Sequence, residues 1–532
     1  MSWMVEKLRK AEVPETSDST PRVEGTISDP GIQEKRFPQP GSVIHLIGVG
    51  GAGMSAIARI LASLGYRVTG SDLRESTVIT RLRSIGVTCA IGHDPSNIAS
   101  PDAVIYSAAV RPSNPELQEA YRKGIPTFKR TDAVAHISEM KRTISVGGTH
   151  GKTSTSSMLA LVLSEAGLDP SFMVGAELNE AGTNARWGSG EWQVLEADES
   201  DGTFLKLKTE IAVVTNVDRD HLENWAGSFD RLKEAFAEFM TKARSVVVLN
   251  RSDPVAVEVC QSIKALESAE EALGLKDAQI VDSNGATFVP RFVFFGEGEG
   301  PGISVRTLEV SEEGTLAEFC ISKSQKPDKL RLPLIGRHFA VNAAAVVAVA
   351  TELGIEFKIV RRALEAFEGV ERRMVWRGEA SGVAFYDDYA HTPAEVRATL
   401  EAARELALAR RGRVVAVFQP HLYTRTARYC SDFASALSAA DLAFVTEVYG
   451  SREDPIPGVT GRLVADEART ISAVLRVQYV PSRRQLVEAV TREVQMGDVV
   501  VTMGAGDVTA SVPIMLDSVR KHSRSHSAKG RE

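Results

Sequence analysis

The sequence predicts an α/β protein of three domains: a Rossmann-like N-terminal domain, a central P-loop-type domain with a parallel sheet plus a small antiparallel sheet, and a Rossmann-like C-terminal domain. Three observations carry this prediction. Short apolar runs, glycine turns and helix-period segments recur in that order, as in strands feeding the crossover helices of parallel sheets. Two of the turns, at 48–53 and 147–153, have the glycine spacing of phosphate-binding turns. A chain of 532 residues also exceeds what one hydrophobic core supports.

Composition narrows the function. With 43% hydrophobic and 25% charged residues, the chain reads as soluble and globular. A net charge of -7 argues against nucleic-acid binding, which needs a basic stripe to displace counterions. Small anionic substrates stay open, because a cleft needs only local cations and backbone donors. Cys89, Cys260, Cys320 and Cys430 form no C-x-x-C pair and read as reduced core thiols. No leader-like opening and no bilayer-length apolar run is evident, so a cytoplasmic protein without membrane contact is expected.

Residues 1–40 are rich in Pro, Ser, Thr and charge and predict a flexible tail. The first domain, 41–131, opens on the strand Val43-Ile44-His45-Leu46-Ile47 and the turn holding Gly48, Gly50, Gly51 and Gly53, a G-x-G-x-x-G pattern suited to a diphosphate. Asp72, after a second strand at 67–69, would either accept from a ribose hydroxyl or cap the next helix. The second domain, 132–371, has Thr143-Ile144-Ser145-Val146 as its first strand. Strands at 193–196 and 211–215 follow, with antiparallel strands within 280–334 and helices at 340–353 and 359–367. The third, 372–520, carries a strand at 414–418, and residues 521–532 read as a second tail.

The second turn holds the strongest chemical signal. Backbone N–H groups of Gly148, Thr149, His150 and Gly151, at the head of a helix, would face the phosphates of a nucleoside triphosphate. Lys152 would neutralise them, and the Thr153 hydroxyl would join a metal ion, with Ser154 next in the helix. Val146 occupies the place of a glycine in the usual pattern, so the turn is a shorter variant. Glu196 and His221 stand at strand ends expected on the same sheet edge. Magnesium needs few protein oxygens there, because phosphates and water complete its shell. His221 is either a ligand or a loop histidine satisfied by carbonyls. Two separate phosphate cradles point to joining a nucleotide-linked substrate to something else at the expense of a triphosphate, more than to hydride transfer.

These motifs, together with Glu196-Ala197-Asp198-Glu199-Ser200-Asp201, Gly336-Arg337-His338, Asn342, Arg372-Arg373, Asp387-Asp388-Tyr389-Ala390-His391-Thr392-Pro393 and Gln419-Pro420-His421, resemble those of the Mur ligase family from about residue 41 to 520. The resemblance implies an ATP-dependent ligase that joins L-alanine to UDP-N-acetylmuramate through an acyl phosphate, with domain closure completing the site. It implies Lys152, Glu196, His221 and Arg373 as the catalytic set. Two Mg2+ ions, with Mn2+ as an alternative, would be held by Thr153, Glu196 and His221. It places His338 and Asn342 near adenine, Arg373 near the phosphates and Asp388 near the ribose. The first turn, Asp72 and His150 would take the UDP-sugar, and His391 and Arg425 the amino acid. A monomer or weak homodimer is expected.

Leu422 stands where the family often has arginine, and Glu223 where it usually has aspartate. His391 could equally serve a cap or loop, and Gly504-Ala505-Gly506-Asp507 is either an anion-binding turn or a tight connection. The residues do not name the base for the amine. Rival readings are a ligase of recycled peptide to UDP-N-acetylmuramate, an NAD-dependent oxidoreductase, and a nucleotide-sensing protein without turnover.

Overall fold

A computed structural model describes residues 36–529 apart from 108, 179–181, 274–289, 322–325, 371, 452 and 473, and omits the side chains of 223, 264–273 and 524–529. The chain divides into two compact units at Arg372. Each is built on strands that read as short apolar runs.

In the first unit, β1 (Val43–Ile47), β2 (Arg67–Asp72), β3 (Thr88–Ile91), β4 (Ala103–Tyr106) and β5 (Thr127–Lys129) form a sheet ordered β3-β2-β1-β4-β5. Every pair is parallel. From Ile44 on, β1 is buried throughout, as a strand covered on both faces requires. The helix Ala52–Ser63 buries Met54, Ile57, Ala58 and Leu61, at the three- and four-residue spacing of one helical face.

A ten-stranded sheet follows in the same unit. Its strands are β6 (Arg142–Gly147), β7 (Ser171–Leu178), β8 (Thr183–Arg186), β9 (Trp192–Glu196), β10 (Thr209–Val214), β11 (Val246–Asn250), β12 (Arg291–Glu297), β13 (Ile303–Ser311), β14 (Gly314–Cys320) and β15 (Asp328–Leu332). The order is β15-β14-β13-β12-β11-β10-β6-β9-β7-β8. Strand β6, which leads into the second glycine turn, lies between β10 and β9 and runs parallel to both. Hence the residues just beyond Glu196 and Val214 emerge at the edge where the turn begins. The antiparallel strands expected within 280–334 are β13, β14 and β15, and they continue the central sheet. A further antiparallel pair, β7 with β8, was not expected. Helices Arg337–Glu352 and Phe357–Glu365 close this unit.

The second unit is one sheet of β16 (Val375–Ala380), β17 (Val383–Asp388), β18 (Val414–Phe418), β19 (Leu442–Val445), β20 (Arg476–Tyr479) and β21 (Val499–Met503), ordered β16-β17-β21-β18-β19-β20. Only the β16–β17 hairpin is antiparallel.

Both expected tails need correction where they are described. Residues 1–35 and 530–532 lie outside the described residues, but Phe37 is buried, stacks on His136 at 4.3 Å and meets Phe128 at 5.1 Å. The Tyr66 hydroxyl donates to Pro38 O at 2.8 Å. An aromatic side chain with a ready pocket outweighs the polar composition around it. At the other end the helix Val512–Lys529 carries the backbone past Lys521. None of the four cysteines is in a disulfide, though only Cys260 is fully buried. Among the described residues no helix is long and apolar enough to cross a membrane.

Candidate active site

The second glycine turn is shaped by the segment leaving β10. Gly148 has φ 128°, and a Cβ there would lie 2.0 Å from Thr215 Oγ1. Thr215 Oγ1 and Asn216 Nδ2 donate to His150 O at 2.6 and 2.9 Å, while His150 N donates to Asn216 Oδ1 at 2.8 Å. Gly151, also at positive φ, opens the helix Lys152–Glu165. The helix N-terminus thus opens directly on the turn, whose Thr149 N and His150 N are both turned to Asn216. Ser154 is buried in the helix's first turn.

Lys152 does not project freely. Its ammonium donates to Glu199 at 2.8 and 3.1 Å, to Gly148 O at 2.6 Å and to Thr149 O at 3.2 Å. Glu199 is fully buried, and its place as the lysine's partner was missed in the sequence, where it is one acid among several in 196–201. Burial opposes the charge on Lys152, but Glu199, Asp198 and Glu196 outweigh it and hold its pKa above the ordinary value. Burial also pushes the Glu199 carboxyl up, with Asp198 adding to it against the pull of Lys152. The Lys152 shift follows from one ammonium amid several carboxylates, whereas burial leads the Glu199 shift.

Glu196 lies at the end of β9 and Thr153 beside Lys152. A Cβ on Gly175 would stand 2.6 Å from Glu196 Oε2 and 3.0 Å from Thr153 Oγ1, so these two oxygens border one space that the glycine leaves open. Such a space suits a hard cation with few protein ligands. Ser156 Oγ donates to Glu196 Oε1 at 3.3 Å. His221, at φ 52°, has its Nε2 3.6 Å from Asp220 Oδ2 and acts electrostatically on Glu199. Among the described residues no three His, Cys, Asp or Glu side chains form a preformed metal cage. Near the same turn, Asn342 is buried and its amide would meet a Cβ on Gly151 at 2.8 Å. The His338 ring lies against Phe339 at 4.1 Å.

The first turn is held differently. Gly48 N and Val49 N donate to Ser71 O at 2.9 and 3.0 Å, and Gly50 N donates to Asp72 Oδ2 at 2.9 Å. Asp72 thus supports the turn itself; the next helix, Thr77–Ser84, is capped by Ser76 instead. Gly53 packs beside Arg130, which reaches Asp198 Oδ2 at 3.3 Å and also binds Asp201. This arginine ties the first glycine turn to the acidic segment after β9. A cavity of about 540 Å³ borders it, lined by Lys129, Thr131, Lys206, Asn224 and Trp225 among others. His150 Nε2 meets Asp218 Oδ2 at 3.2 Å, and that contact outweighs burial and lowers the Asp218 pKa. The Glu223 side chain lies outside the described residues.

In the second unit Asp388 spends both oxygens on backbone donors, accepting from Met374 N at 2.8 Å and Ala390 N at 2.7 Å. Burial pushes its carboxyl up to about 6. Arg373 Nη1 donates to Glu395 Oε1 at 3.3 Å. Thr392, not His391, caps the helix Pro393–Arg410, in a capping box with Glu395. His391 holds Tyr389 O at 3.0 Å, and burial, with Arg425 and Arg373 nearby, lowers its pKa against the pull of Glu395. His391 and His421 meet edge to face at 5.7 Å, His421 stacks with Tyr449 at 6.1 Å, and Arg425 Nη1 is 3.4 Å from His421 Nδ1. Leu422 adopts φ 67°. The 504–507 segment is a tight connection: Arg372 binds Gly504 O, and Gln419 Nε2 donates to Asp507 Oδ1 at 2.9 Å.

Comparisons with known proteins agree along the chain. Residues 43–142 match the profile described as Mur ligase family, catalytic domain; 146–350 match the Mur ligase middle domain; 372–506 match the Mur ligase, glutamate ligase domain. The chain is 40% identical over 476 residues to a UDP-N-acetylmuramate--L-alanine ligase of Anaeromyxobacter dehalogenans, covering 89% of this chain and 97% of that protein. A protein of the same description from Mycolicibacterium gilvum is 41% identical over 500 residues, covering 92% and 99%. The crystal structure of UDP-N-acetylmuramate-alanine ligase from Thermotoga maritima superposes with a TM-score of 0.70 at 29% identity, covering 92% of this chain and all of that one.

Proposed function

The chain belongs to the Mur ligase family, and from that premise we propose that it joins L-alanine to the lactyl carboxylate of UDP-N-acetylmuramate, with ATP converted to ADP and phosphate. Relatives at about 40% identity over nearly their whole length carry this description. The observation that carries the reading is the meeting of Lys152, Glu199, Glu196 and Thr153 at a glycine turn suited to a triphosphate. Domains of 41–131 for the UDP-sugar, 132–371 for ATP and 372–520 for the amino acid fit this reading.

A carboxylate resists an amine because its charge is delocalised and oxide is a poor leaving group. One carboxylate oxygen attacks the γ-phosphorus, the bond to the β–γ bridging oxygen breaks, and ADP leaves. The alanine amine then adds to the acyl carbon of the resulting acyl phosphate. Loss of phosphate, with the carboxylate's own oxygen, leaves the amide. Two anions meet in the first step, so positive charge and oriented donors must offset repulsion and hold the atoms in line. Lys152 supplies the charge and Gly151 with the head of the helix the backbone donors, since Thr149 N and His150 N are turned to Asn216; Glu199 keeps the ammonium in place until phosphate oxygens replace it. Thr153 and Glu196, with His221 for a second ion, would hold magnesium, which supplies charge neutralisation at the phosphates. In the second unit, Arg373 is assigned to the phosphates. His391 and Arg425 are assigned to the amino acid, where the guanidinium suits a carboxylate. Reaction with ATP and a nucleotide-linked sugar fits the cytoplasm.

Phosphate release and amide mass, measured with Mg2+, ATP, UDP-N-acetylmuramate and each amino acid in turn, test the reading. Turnover with alanine, with glycine or serine as the next best, is expected. Turnover only with a preassembled peptide would overturn it in favour of the recycling reaction.

A further inference from the structure

Beneath the first glycine turn lies a buried polar cluster that the reaction above does not use. Glu116, in the first turn of the helix Pro115–Arg122, is fully buried. Its Oε2 accepts from Ser71 Oγ at 2.5 Å and meets His93 Nδ1 at 3.2 Å; its Oε1 accepts from Asn97 Nδ2 at 2.5 Å and Asp94 N at 3.4 Å. His93 Nδ1 also lies 3.0 Å from Ser71 Oγ. His45 Nε2 has no hydrogen-bond partner and faces Glu116 Oε2 at 3.7 Å, while its Nδ1 is fixed by Thr69 Oγ1 at 2.9 Å. Three chain segments therefore converge on one carboxylate.

Stability alone is a weak reason for such a group. Burying an anion costs several kcal/mol, and apolar replacements of buried ionic clusters are often at least as stable. What sets this cluster apart is Ser71. Its side chain is held by Glu116, and its carbonyl accepts both N–H groups that start the turn, Gly48 N and Val49 N. His93, partly exposed, follows β3, whose neighbour β2 ends at Asp72, the support of Gly50 N.

We propose that Glu116 is a positioning residue for the nucleoside diphosphate end of the substrate, acting through Ser71 on the first glycine turn and through His93 at its rim. This rests on the UDP-sugar reading above. Burial pushes the Glu116 carboxyl up, but the His45 contact and the Ser71 and Asn97 hydrogen bonds outweigh it and bring it down to about 2, so it remains an anion across the working range of pH. The charged or titratable groups facing it are His45 from β1 and His93 and Asp94 from the segment after β3.

The test uses UDP as probe, with titration calorimetry, and steady-state kinetics of the full chain. E116Q keeps the shape and removes the charge; S71A cuts the link to the turn. Each is expected to weaken UDP about tenfold, the scale of one misplaced buried hydrogen bond. KM for the UDP-sugar should rise in parallel, with kcat and the KM for ATP changed less than about twofold. Folded variants with unchanged UDP affinity and unchanged KM for the UDP-sugar, while the unaltered protein binds UDP, would overturn this proposal alone. Failure of the unaltered protein to bind UDP would overturn the substrate reading and the proposal with it.

Discussion

The two glycine turns of the first unit share a topology, parallel strand to turn to helix, yet differ in the side chains that support them. The turn after β1 has no lysine within it; Asp72 supports it from behind at Gly50 N and Glu116 through Ser71, and Arg130 packs beside Gly53. The turn after β6 holds an ammonium at its centre, braced by Glu199, with Glu196 and Thr153 alongside. The difference teaches that spacing of glycines sets only how closely a phosphate can approach. What the turn does afterwards depends on the side chains packed behind and within it. An ammonium held by carboxylates within the turn suits a phosphate that must be attacked.

The largest effect should separate the turns by chemistry. Lys152→Ala is expected to lower kcat by a hundredfold to a thousandfold, about 2.7–4 kcal/mol, while UDP binding at the other turn stays near normal. Rapid-quench or steady-state phosphate release checks the first part and calorimetry the second. Equal damage to both would break the comparison.

The two buried carboxylates should then differ in how pH affects them. Glu116 is held well below its ordinary value, so its contribution is present above that range and is lost as pH falls through about 2. E116Q is expected to cost about 1–3 kcal/mol at neutral pH, with the gap closing in strong acid. Glu199 is pushed the other way, so its contribution is full at low pH and is lost as pH rises through its raised pKa. E199Q should therefore gain on the unaltered protein as pH rises. Denaturant melts of both variants across pH read the two slopes, and slopes of the same sign would contradict the account.

A smaller effect is expected at Asp72→Asn, which keeps an acceptor for Gly50 N and removes one charge. Stability should change by less than about 1 kcal/mol, and UDP affinity should not fall, because one charge of the diphosphate's own sign is gone. A change of several kcal/mol would mean that the charge, not the hydrogen bond, holds the turn.

How much of this was legible in sequence follows from how local each signal is. Gly48, Gly50 and Gly53, or Gly148, Gly151, Lys152 and Thr153, are readable because the turn geometry and the residues it requires sit within a few positions. Strand ends at Glu196 and near His221 were readable from the α/β pattern, since parallel strands deliver their ends to one edge. The Glu199 partnership with Lys152 spans 47 positions and depends on which acid of 196–201 turns inward, which no spacing rule decides. Asp72 was expected at a ribose or a helix cap and Asp388 at a ribose; their bonds to Gly50 N, 22 positions away, and to Met374 N, 14 positions away, come from neighbouring segments that no spacing rule reveals. Glu116 gave no signal, because Asn-Pro-Glu at 114–116 reads as an ordinary helix start. Phe37 and the β7–β8 pair were hidden because tertiary packing, not composition, orders them.

The central claim is that the β6 turn serves phosphorylation of a carboxylate by ATP. Its most direct test is turnover with UDP-N-acetylmuramate labelled with oxygen-18 in the lactyl carboxylate, reading the phosphate by mass spectrometry. The account predicts one labelled oxygen in each phosphate released, carried over from the acyl phosphate. Phosphate free of label, formed together with amide, would contradict it.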